Sequence, residues 1–361
     1  MKTLRVRNHE LQLPVFLPDA TYGYLRAVSM ADLARLGLPA TMMNAFHLMQ
    51  KPGSTVIDAL GGVHAMSGWR GLVMTDSGGF QAYSLIRQNP RFGSLTENGI
   101  IFRPEGSQRK LQLTPEKSIQ LQMGYGADIL VCLDDCTHES APYSEQELSV
   151  ERTIAWAGRA RQAYERLLHS RKWGDADRPL LFAVVQGGSE KDLRKACAEA
   201  LLELGFDGFG FGGWPLDSEG QLLTEILEYT RSLIPRGFPI HALGIGHPVS
   251  IMTAFRLGYE MFDSAMPTRD ARHGRLYAIN AETLPLSTDG SWFSYKYINN
   301  ETNTRAAAPI SPGCTCPTCT ELSLGYLYHL YRMNDAGYLR LATLHNLAIM
   351  RRLMELLQQY G

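Results

Sequence analysis

Asp263 stands at the end of a short apolar run in the segment MFDSAMPTRDARHG, residues 261–274, and Arg269 and Arg272 follow it closely. An unpaired buried carboxylate is costly, so the ordinary interpretations are a salt bridge or a helix cap. The alternative is an acid held ready for chemistry beside a local basic surface. The rest of the sequence has to distinguish these interpretations.

A second group of reactive side chains lies in the run CTCPTC, which places Cys314, Cys316 and Cys319 within six positions. Such crowding is poor geometry for a set of disulfides. Together with His345 of the later segment LHNL, three thiolates and an imidazole make a closed tetrahedral zinc set with no open position. The sequence therefore predicts one structural zinc ion per chain, in a reducing compartment.

Length and composition suit a single large catalytic domain. The chain has 361 residues, of which 45% are hydrophobic, and an α/β barrel with decorations needs roughly 250. The formal net charge is -1, so any surface for nucleic acid must be local. No window reaches the roughly 20 apolar residues of a membrane helix. We therefore expect a cytoplasmic protein with no membrane partner.

Eight β-rich apolar runs alternate with helical patterns along the first 270 or so residues, as in strands buried on both faces. They are VFLPDAT, ATMMNAF, LVMTDSGGF, DILVCLDDC, LLFAVVQGG, GFGFGG, IHALGIG and EMFDSAMP, which start at 15, 40, 72, 128, 180, 208, 240 and 260. Strand followed by helix, eight times, predicts an α/β fold of the (β/α)8 TIM-barrel type. A doubly wound open sheet is the structural alternative.

The sequence also predicts how the chain is divided. Residues 1–274 are expected to form the catalytic barrel, with a β-hairpin inserted at about 82–116 after the third strand. Residues 275–361 are expected to form a zinc-binding helical subdomain packed on the barrel.

Catalytic groups of such barrels lie where the strands end and the following loops converge. The polar and glycine residues at these ends are Asp76, Asp134, Asp135, Gln186, Gly212, Gly213, Gly244 and Asp263. Any one of them has an ordinary explanation as a helix cap or a turn glycine. Several carboxylates at one rim, however, repel each other and lose solvent unless a ligand binds there.

Two chemistries fit such carboxylates. Two acids flanking a sugar C1 perform retaining glycosyl transfer, in which one attacks and another moves protons. Three acids with His47 could instead hold divalent metals for hydrolysis. The segments DSGGFQ and VVQGG supply amide and backbone donors rather than further metal ligands, which favours recognition of a polar ring.

These motifs resemble those of the queuine/archaeosine tRNA-ribosyltransferases, also called tRNA-guanine transglycosylases. The similarity runs through LPVFLPDATYG, MNAFHLMQKPG, TDSGGFQ, LDDCT, VVQGG, LGIGHP, MFDSAMPTRDARHG, CTCPTC and LATLHNL, almost the whole length. The resemblance implies a barrel enzyme that exchanges the wobble guanine of certain tRNAs for a 7-deazaguanine base, with tRNA and that base as its substrates. It also implies a homodimer formed with the help of the helical segment 321–359.

The resemblance implies a role for each matching residue. Asp263 corresponds to the nucleophile that attacks the ribose C1′, and Asp76 to the general acid/base. Residues that match the base-binding positions are Asp134, Gln186, Gly213, Gly244 and Phe80, and Trp214 occupies a further such position. Residues that match RNA contacts are Arg269, Arg272 and Gln81, with the arginines on phosphates beside a flipped-out nucleotide.

The sequence departs from the family after its sixth strand, where members carry GGLAVGE or GGLSGGE and this chain has GGWPLDSEG. Trp214 and Pro215 thus replace the small pair that faces the 7-substituent of the incoming base. Ser264 and Ala265 also replace the usual Cys-Val after Asp263. The entering base could therefore be preQ1, queuine or preQ0. Two other functions stay open: a paralogue that modifies DNA, and a non-catalytic RNA-binding subunit, which would be expected to lose Asp263 or Asp76.

Overall fold

The computed structural model describes residues 2–89, 91–103, 110–138, 140–280, 286–287 and 289–360. The strands are β1 (Lys2–Val6), β2 (His9–Leu13), β3 (Val15–Pro18), β4 (Ala40–Asn44), β5 (Leu72–Asp76), β6 (Gly93–Thr96), β7 (Gly99–Phe102), β8 (Leu111–Leu113), β9 (Ile129–Val131), β10 (Leu180–Val185), β11 (Gly208–Phe211), β12 (Ile240–Ala242), β13 (Met261–Ser264), β14 (Arg275–Ile279) and β15 (Phe293–Tyr297).

Helices fill most of the intervals between the strands. They are α1 (Met30–Arg35), α2 (Ala45–Leu48), α3 (Ser54–Ala59), α4 (Gly62–Ser67), α5 (Gly79–Gln88), α6 (Pro115–Tyr125), α7 (Tyr143–Arg171), α8 (Lys191–Leu204), α9 (Thr224–Leu233), α10 (Pro248–Arg256), α11 (Met266–Arg272), α12 (Pro317–Glu321), α13 (Leu324–Arg332) and α14 (Ala336–Tyr360). Within the ranges described, no helix combines the length and the apolar character that crossing a membrane requires.

Eight parallel strands form the central sheet, in the order β3-β13-β12-β11-β10-β9-β5-β4. A parallel bridge between Asp19 and Met42 joins its two ends, and the Ala20 N–H donates to the Met42 carbonyl oxygen at 2.6 Å. The sheet is therefore a TIM-like barrel, as predicted, and the open-sheet alternative is wrong. Each of the eight predicted runs contains one barrel strand.

Alternation along the strands separates two apolar layers, because successive side chains of a strand point to opposite faces. One set fills the barrel lumen and the other packs under the helices. The lumen set includes Val15, Leu17, Ala40, Met42, Leu72, Met74, Ile129, Val131, Leu180, Phe182, Val184 and Met261. The β1–β2 hairpin adds Val6, Leu11 and Leu13 to it, and Arg7 bonds Asp128 at the start of β9 at 3.0 Å. The hairpin thus closes the amino end of the barrel and leaves the carboxyl end open.

The segment inserted after β5 is a small antiparallel sheet. The predicted hairpin is present as β6 and β7, and β8 adds a third strand to it. The first residues of the expected insertion belong instead to α5. Ala82, Leu85 and Ile86 recur there at helical spacing and pack against the main core, which fixes that stretch as a helix.

The residues after β13 pack on the barrel through α14. Leu347, Met350 and Leu353 of this helix belong to the main core cluster. The amide of Asn346 donates to the carbonyl oxygens of Pro267 and Arg275, both at 3.0 Å. The C-terminal helix is therefore fastened to α11, the helix that follows the last barrel strand.

Candidate active site and metal site

The open carboxyl end of the barrel carries polar groups that continue the lumen-facing alternation. Five barrel strands are followed by a polar residue two positions after their last apolar side chain that faces the lumen. These residues are Asp19, Asn44, Asp76, Gln186 and Asp263. All five line one cavity of about 620 Å³. Because side chains alternate along each strand and the strands close into a barrel, these polar groups form a ring around one cavity.

Most of the predicted site residues lie around this cavity. Those that line it are Asp76, Phe80, Gln81, Asp134, Gln186, Gly213, Trp214, Gly244, Asp263 and Arg269. Arg272 lies outside the cavity lining, one helical turn further along α11 than Arg269.

Asp263 at the end of β13 has its two carboxylate oxygens in different surroundings. The Gly244 N–H donates to Oδ1 at 2.9 Å, and Gly244 holds a φ of +76° that suits glycine. His241 Nε2 lies 2.9 Å from the same Oδ1, off the line of a hydrogen bond, and His241 is 1% exposed. Within the described part of the chain, Asp263 Oδ2 makes no hydrogen bond. One oxygen is held and the other is available.

Asp76 at the end of β5 lies in a different environment. The Asn44 amide donates to its Oδ2 at 3.0 Å, and the Gln81 side chain and the Gly78 backbone also donate to it. Burial raises the pKa of Asp76, and the negative charge of Asp263 raises this pKa further. A raised pKa favours the protonated form of the carboxyl, which a general acid needs. Gln81, predicted as an RNA contact, bonds Asp76 in this structure.

Asp134 and Gln186 form a pair across the floor of the cavity. Gln186 Nε2 donates to Asp134 Oδ2 at 2.6 Å. Burial, with a smaller contribution from the Asp76 charge, raises the pKa of Asp134 to about 7. Gln186 Oε1 is buried and has no hydrogen-bond partner among the described residues. A Cβ at Gly212 would lie 2.5 Å from Gln186 Nε2, so only glycine fits beside this amide. The pair therefore lacks a donor that a ligand could provide.

Arg194 supports this floor from below. It is 1% exposed, and its guanidinium donates to the carbonyl oxygens of Val185 at 2.7 Å and of Gly188 and Gly212 at 2.9 Å. Burial lowers the pKa of Arg194 to about 10. These bonds fix the backbone on both sides of Gln186.

Aromatic side chains form one wall near the mouth. Trp214 is 38% exposed, and its ring centroid lies 5.4 Å from that of Phe80 and 5.5 Å from that of His138. Asp217, further along the same loop, uses Oδ1 to accept the N–H groups of Glu219 and Gln221 at 2.9 and 2.8 Å. Neither Asp217 nor Glu219 lines the cavity, so the wall at Trp214 is apolar.

Three arginines lie together at the rim. Arg269 and Arg272 are three residues apart on α11, and the pKa of Arg272 is lowered by burial and by the charges of Arg26 and Arg269. No carboxylate in the described ranges lies within salt-bridge distance of any of the three. Like charges without acidic partners favour an anionic ligand at this surface.

The four predicted metal ligands come together at a separate place between α12 and α14. Their ligand atoms all lie within 4.8 Å of one another. His345 Nδ1 is 3.8, 3.6 and 3.3 Å from the sulfurs of Cys314, Cys316 and Cys319. Tetrahedral zinc with its usual bond lengths requires about 3.6 Å for such a sulfur–nitrogen pair. The donor set and its size therefore fit zinc.

The other imidazole nitrogen supports this fit. His345 Nε2 lies 2.7 Å from the Tyr277 carbonyl oxygen, which holds the proton on Nε2 and leaves Nδ1 free for a metal. Among the described residues, the cavity carboxylates and His47 form no group of this kind. The metal-hydrolysis alternative therefore has no support from the geometry.

The sequence matches the family model described as queuine tRNA-ribosyltransferase over residues 1–360. The chain belongs to this family. A queuine tRNA-ribosyltransferase of Psychrobacter sp. (strain PRwf-1) is 35% identical over 353 residues, which cover 98% of this chain and 87% of that protein. The proteins of the same name from Actinobacillus pleuropneumoniae serotype 3 (strain JL03) and Aliivibrio salmonicida (strain LFI1238) are each 34% identical, covering 98% and 97% of this chain and 86% and 88% of theirs. The resemblance read from the motifs is confirmed.

Several residues around the cavity of this family member were missed in the sequence: Asp19, Arg26, Asn44, Arg194 and His241. The two-residue alternation that leads from Met74 to Asp76 also leads from Leu17 to Asp19 and from Met42 to Asn44, so a signal for those two existed. Arg194 and His241 act through contacts with other elements, and no local pattern indicates them.

Proposed function

We propose that this chain is a base-exchange glycosyltransferase that replaces guanine at the wobble position of tRNA with a 7-deazaguanine, in queuosine modification. The observation that carries the proposal is the pair of unlike carboxylates in one cavity. Asp263 has one oxygen held and one without a hydrogen bond among the described residues, whereas Asp76 has a raised pKa. A retaining glycosyl transfer needs a nucleophile and a proton carrier of this kind.

The reaction then has two displacements. Asp263 Oδ2 forms a bond to the ribose C1′ as the bond from C1′ to guanine N9 breaks, and the electron pair leaves with the base. Asp76 donates the proton that neutralises the departing guanine. The incoming base returns a proton from its N9 to Asp76, attacks C1′ and breaks the ester bond to Asp263. The carboxylate is thereby restored.

Base recognition in this proposal uses the polar floor and the aromatic wall. An ionised Asp134 accepts hydrogen bonds from the N–H groups of a guanine edge, and Gln186 Oε1 gains the donor that it lacks in the free protein. The Gly213 backbone and the Phe80 and Trp214 rings enclose the base. Since the cavity is inside the barrel rim, the nucleotide must leave its stack to enter.

The rim arginines are proposed to hold the RNA backbone. Arg269 and Arg272 carry the contact predicted from the sequence, and Arg26 extends it. Gln81 was predicted to contact RNA as well. The hydrogen bond from the Gln81 side chain to Asp76 supports a different role, in which Gln81 positions the acid/base.

The C-terminal region is proposed as a structural unit. We assign residues 1–274 to the catalytic barrel and residues 275–361 to a zinc-binding part that shares the main core through α14. Zinc at the four ligands would hold α12 against α14. Tyr326 and Met333, on and just after α13, are 48% and 65% exposed and support a homodimer through this region. We place the enzyme in the cytoplasm with its tRNA substrate.

The experiment measures release of radiolabelled guanine from undermodified tRNA and from duplex DNA, with preQ1, queuine or preQ0 supplied in turn. The proposal expects release from tRNA that depends on the added base. Release from DNA alone would instead establish the DNA-modifying alternative, and tight tRNA binding without release would establish the non-catalytic subunit.

A further inference from the structure

Asp19 is an acid in the active-site cavity that the proposed reaction does not use. It follows β3, two residues beyond Leu17, and lines the cavity with Asp76 and Asp263. In the parallel pairing of β13 with β3, Leu17 is the partner of Asp263. From the spacing of strands and residues, the Asp19 Cα is about 8 Å from that of Asp263 and nearer the cavity mouth.

The Asp19 carboxyl is partly engaged. The Thr21 hydroxyl donates to Oδ1 at 2.6 Å, and the Thr21 backbone N–H is a second donor to this carboxyl. Burial, followed by the charge of Asp263, raises the pKa of Asp19 to about 6. No cationic side chain among the described residues forms a salt bridge with Asp19. A buried carboxylate costs free energy, and the two donors of Thr21 leave part of its acceptor capacity unused.

Asp19 lies on the side of the cavity that would hold the sugar rather than on the side that would hold the base. The base-reading groups Asp134, Gln186 and Trp214 follow β9, β10 and β11, whereas Asp19 follows β3, which pairs with β13 and closes the barrel with β4. If Asp263 attacks C1′, the sugar lies beside the wall that carries Asp19. This step rests on the proposed function.

We propose that Asp19 Oδ2 accepts a hydrogen bond from the 2′-hydroxyl of the exchanged nucleotide and thereby selects RNA over DNA. In an internal nucleotide the 3′ and 5′ oxygens are esterified, so the 2′-hydroxyl is the free donor that the sugar offers. DNA lacks this group. A hydrogen bond to the hydroxyl beside the reacting carbon strengthens as positive charge develops on the sugar. A phosphate at the same place would be repelled.

The test uses an RNA stem-loop that carries the target guanosine and an otherwise identical one with a single 2′-deoxyguanosine at that position. Guanine exchange is measured as kcat/KM for the wild type, Asp19→Ala and Asp19→Asn. Asp58→Ala, which removes an exposed acid of α3 outside the cavity, is the matched control.

We expect the wild type to prefer the ribose substrate by about tenfold or more, which corresponds to about 1.4 kcal/mol. Asp19→Ala should lose this preference by slowing exchange of the ribose substrate while exchange of the deoxy substrate stays within about twofold. Asp19→Asn, which keeps an acceptor oxygen, should retain part of the preference. Asp58→Ala should match the wild type on both.

Equal losses on both substrates in Asp19→Ala would overturn the inference, as would a loss confined to incoming bases that carry an ammonium group. Absence of guanine exchange by the wild type on any RNA would instead contradict the proposed function. The two failures are thus separated by the wild-type measurement.

Discussion

The cluster of Cys314, Cys316, Cys319 and His345 and the barrel cavity are both groups of polar side chains enclosed by apolar structure, but they differ in how far their atoms satisfy one another. At the cluster, four ligand atoms lie within 4.8 Å and the imidazole has a backbone partner behind it. At the cavity, Gln186 Oε1 is buried without a partner among the described residues, and several carboxylates share one space. A closed donor set suits a bound metal, whereas polar groups without hydrogen-bond partners around a cavity suit the binding of a substrate.

The largest expected effect is at the cavity. Asp263→Asn removes the proposed nucleophile while preserving its shape, so guanine exchange should fall by roughly 10³-fold or more. Binding of tRNA and thermal stability should change little, because the amide keeps an oxygen for the Gly244 N–H. Denaturing gels should show a covalent RNA adduct for the wild type only. An adduct in the Asn variant, or exchange within tenfold of wild type, would remove Asp263 from this role.

The second effect is at the cluster and should be one of stability. Structural zinc sites in small domains contribute roughly 10–16 kcal/mol of apparent binding energy. Chelation or Cys316→Ser should therefore unfold α12 and loosen α14 before the barrel melts, as hydrogen exchange would reveal. Elemental analysis should find one zinc per chain in the wild type and in Cys132→Ala, which alters a buried thiol of the barrel core. A folded, active preparation without zinc would contradict this assignment.

A third, smaller effect concerns pH. Because burial raises the pKa of Asp134 to about 7, the ionised form that accepts the base is lost below that pH. We expect kcat/KM for the incoming base to rise about tenfold per pH unit up to that point and then to level off. A pH profile of Asp134→Asn should lack this limb, whereas one unchanged in shape would assign the titration to another group.

The same shift has the opposite sign for stability. Between the ordinary pKa of an aspartate and about 7, the folded protein keeps a proton on Asp134 that the unfolded chain has lost. The contribution of Asp134 to the free energy of unfolding therefore falls as pH rises through this window. Denaturant titrations of the wild type and Asp134→Asn at pH 5 and pH 8, values chosen to lie about one to two units from the midpoint, should show this difference.

The smallest expected effect is at Trp214. The cavity wall at Trp214 is apolar because the Asp217 carboxylate accepts hydrogen bonds from N–H groups of its own loop. A cationic aminomethyl group should therefore find no partner there. The neutral cyano base or the larger queuine should be preferred over preQ1, and Trp214→Leu should reduce that preference. Comparison of kcat/KM for the three bases tests this. A wild-type preference for preQ1 of more than about tenfold, or about 1.4 kcal/mol, would show that Trp214 does not select as argued.

Much of this molecule could be predicted from the sequence because it depends on short-range spacing. The run CTCPTC places three sulfurs within six residues, so the sequence alone indicated a metal-binding segment. Continuous apolar runs such as those at β5 and β10 predicted buried parallel strands, and Asp76 and Gln186 followed from the ends of those strands. Spacing along one strand fixes which way a side chain points, since the period is two.

Tertiary structure decided the relations between residues that are distant along the chain. The contact of His241 with Asp263 depends on two adjacent barrel strands, and the bonds of Arg194 to the carbonyl oxygens of Val185 and Gly212 depend on a helix packed under them. The pairing of β3 with β13 brings the first barrel strand beside the last, and the bridge between Asp19 and Met42 closes the barrel, which places Asp19 in the cavity with Asp263. Local patterns specify elements and their faces, but the partners of a side chain are set only when the apolar faces pack and close the barrel.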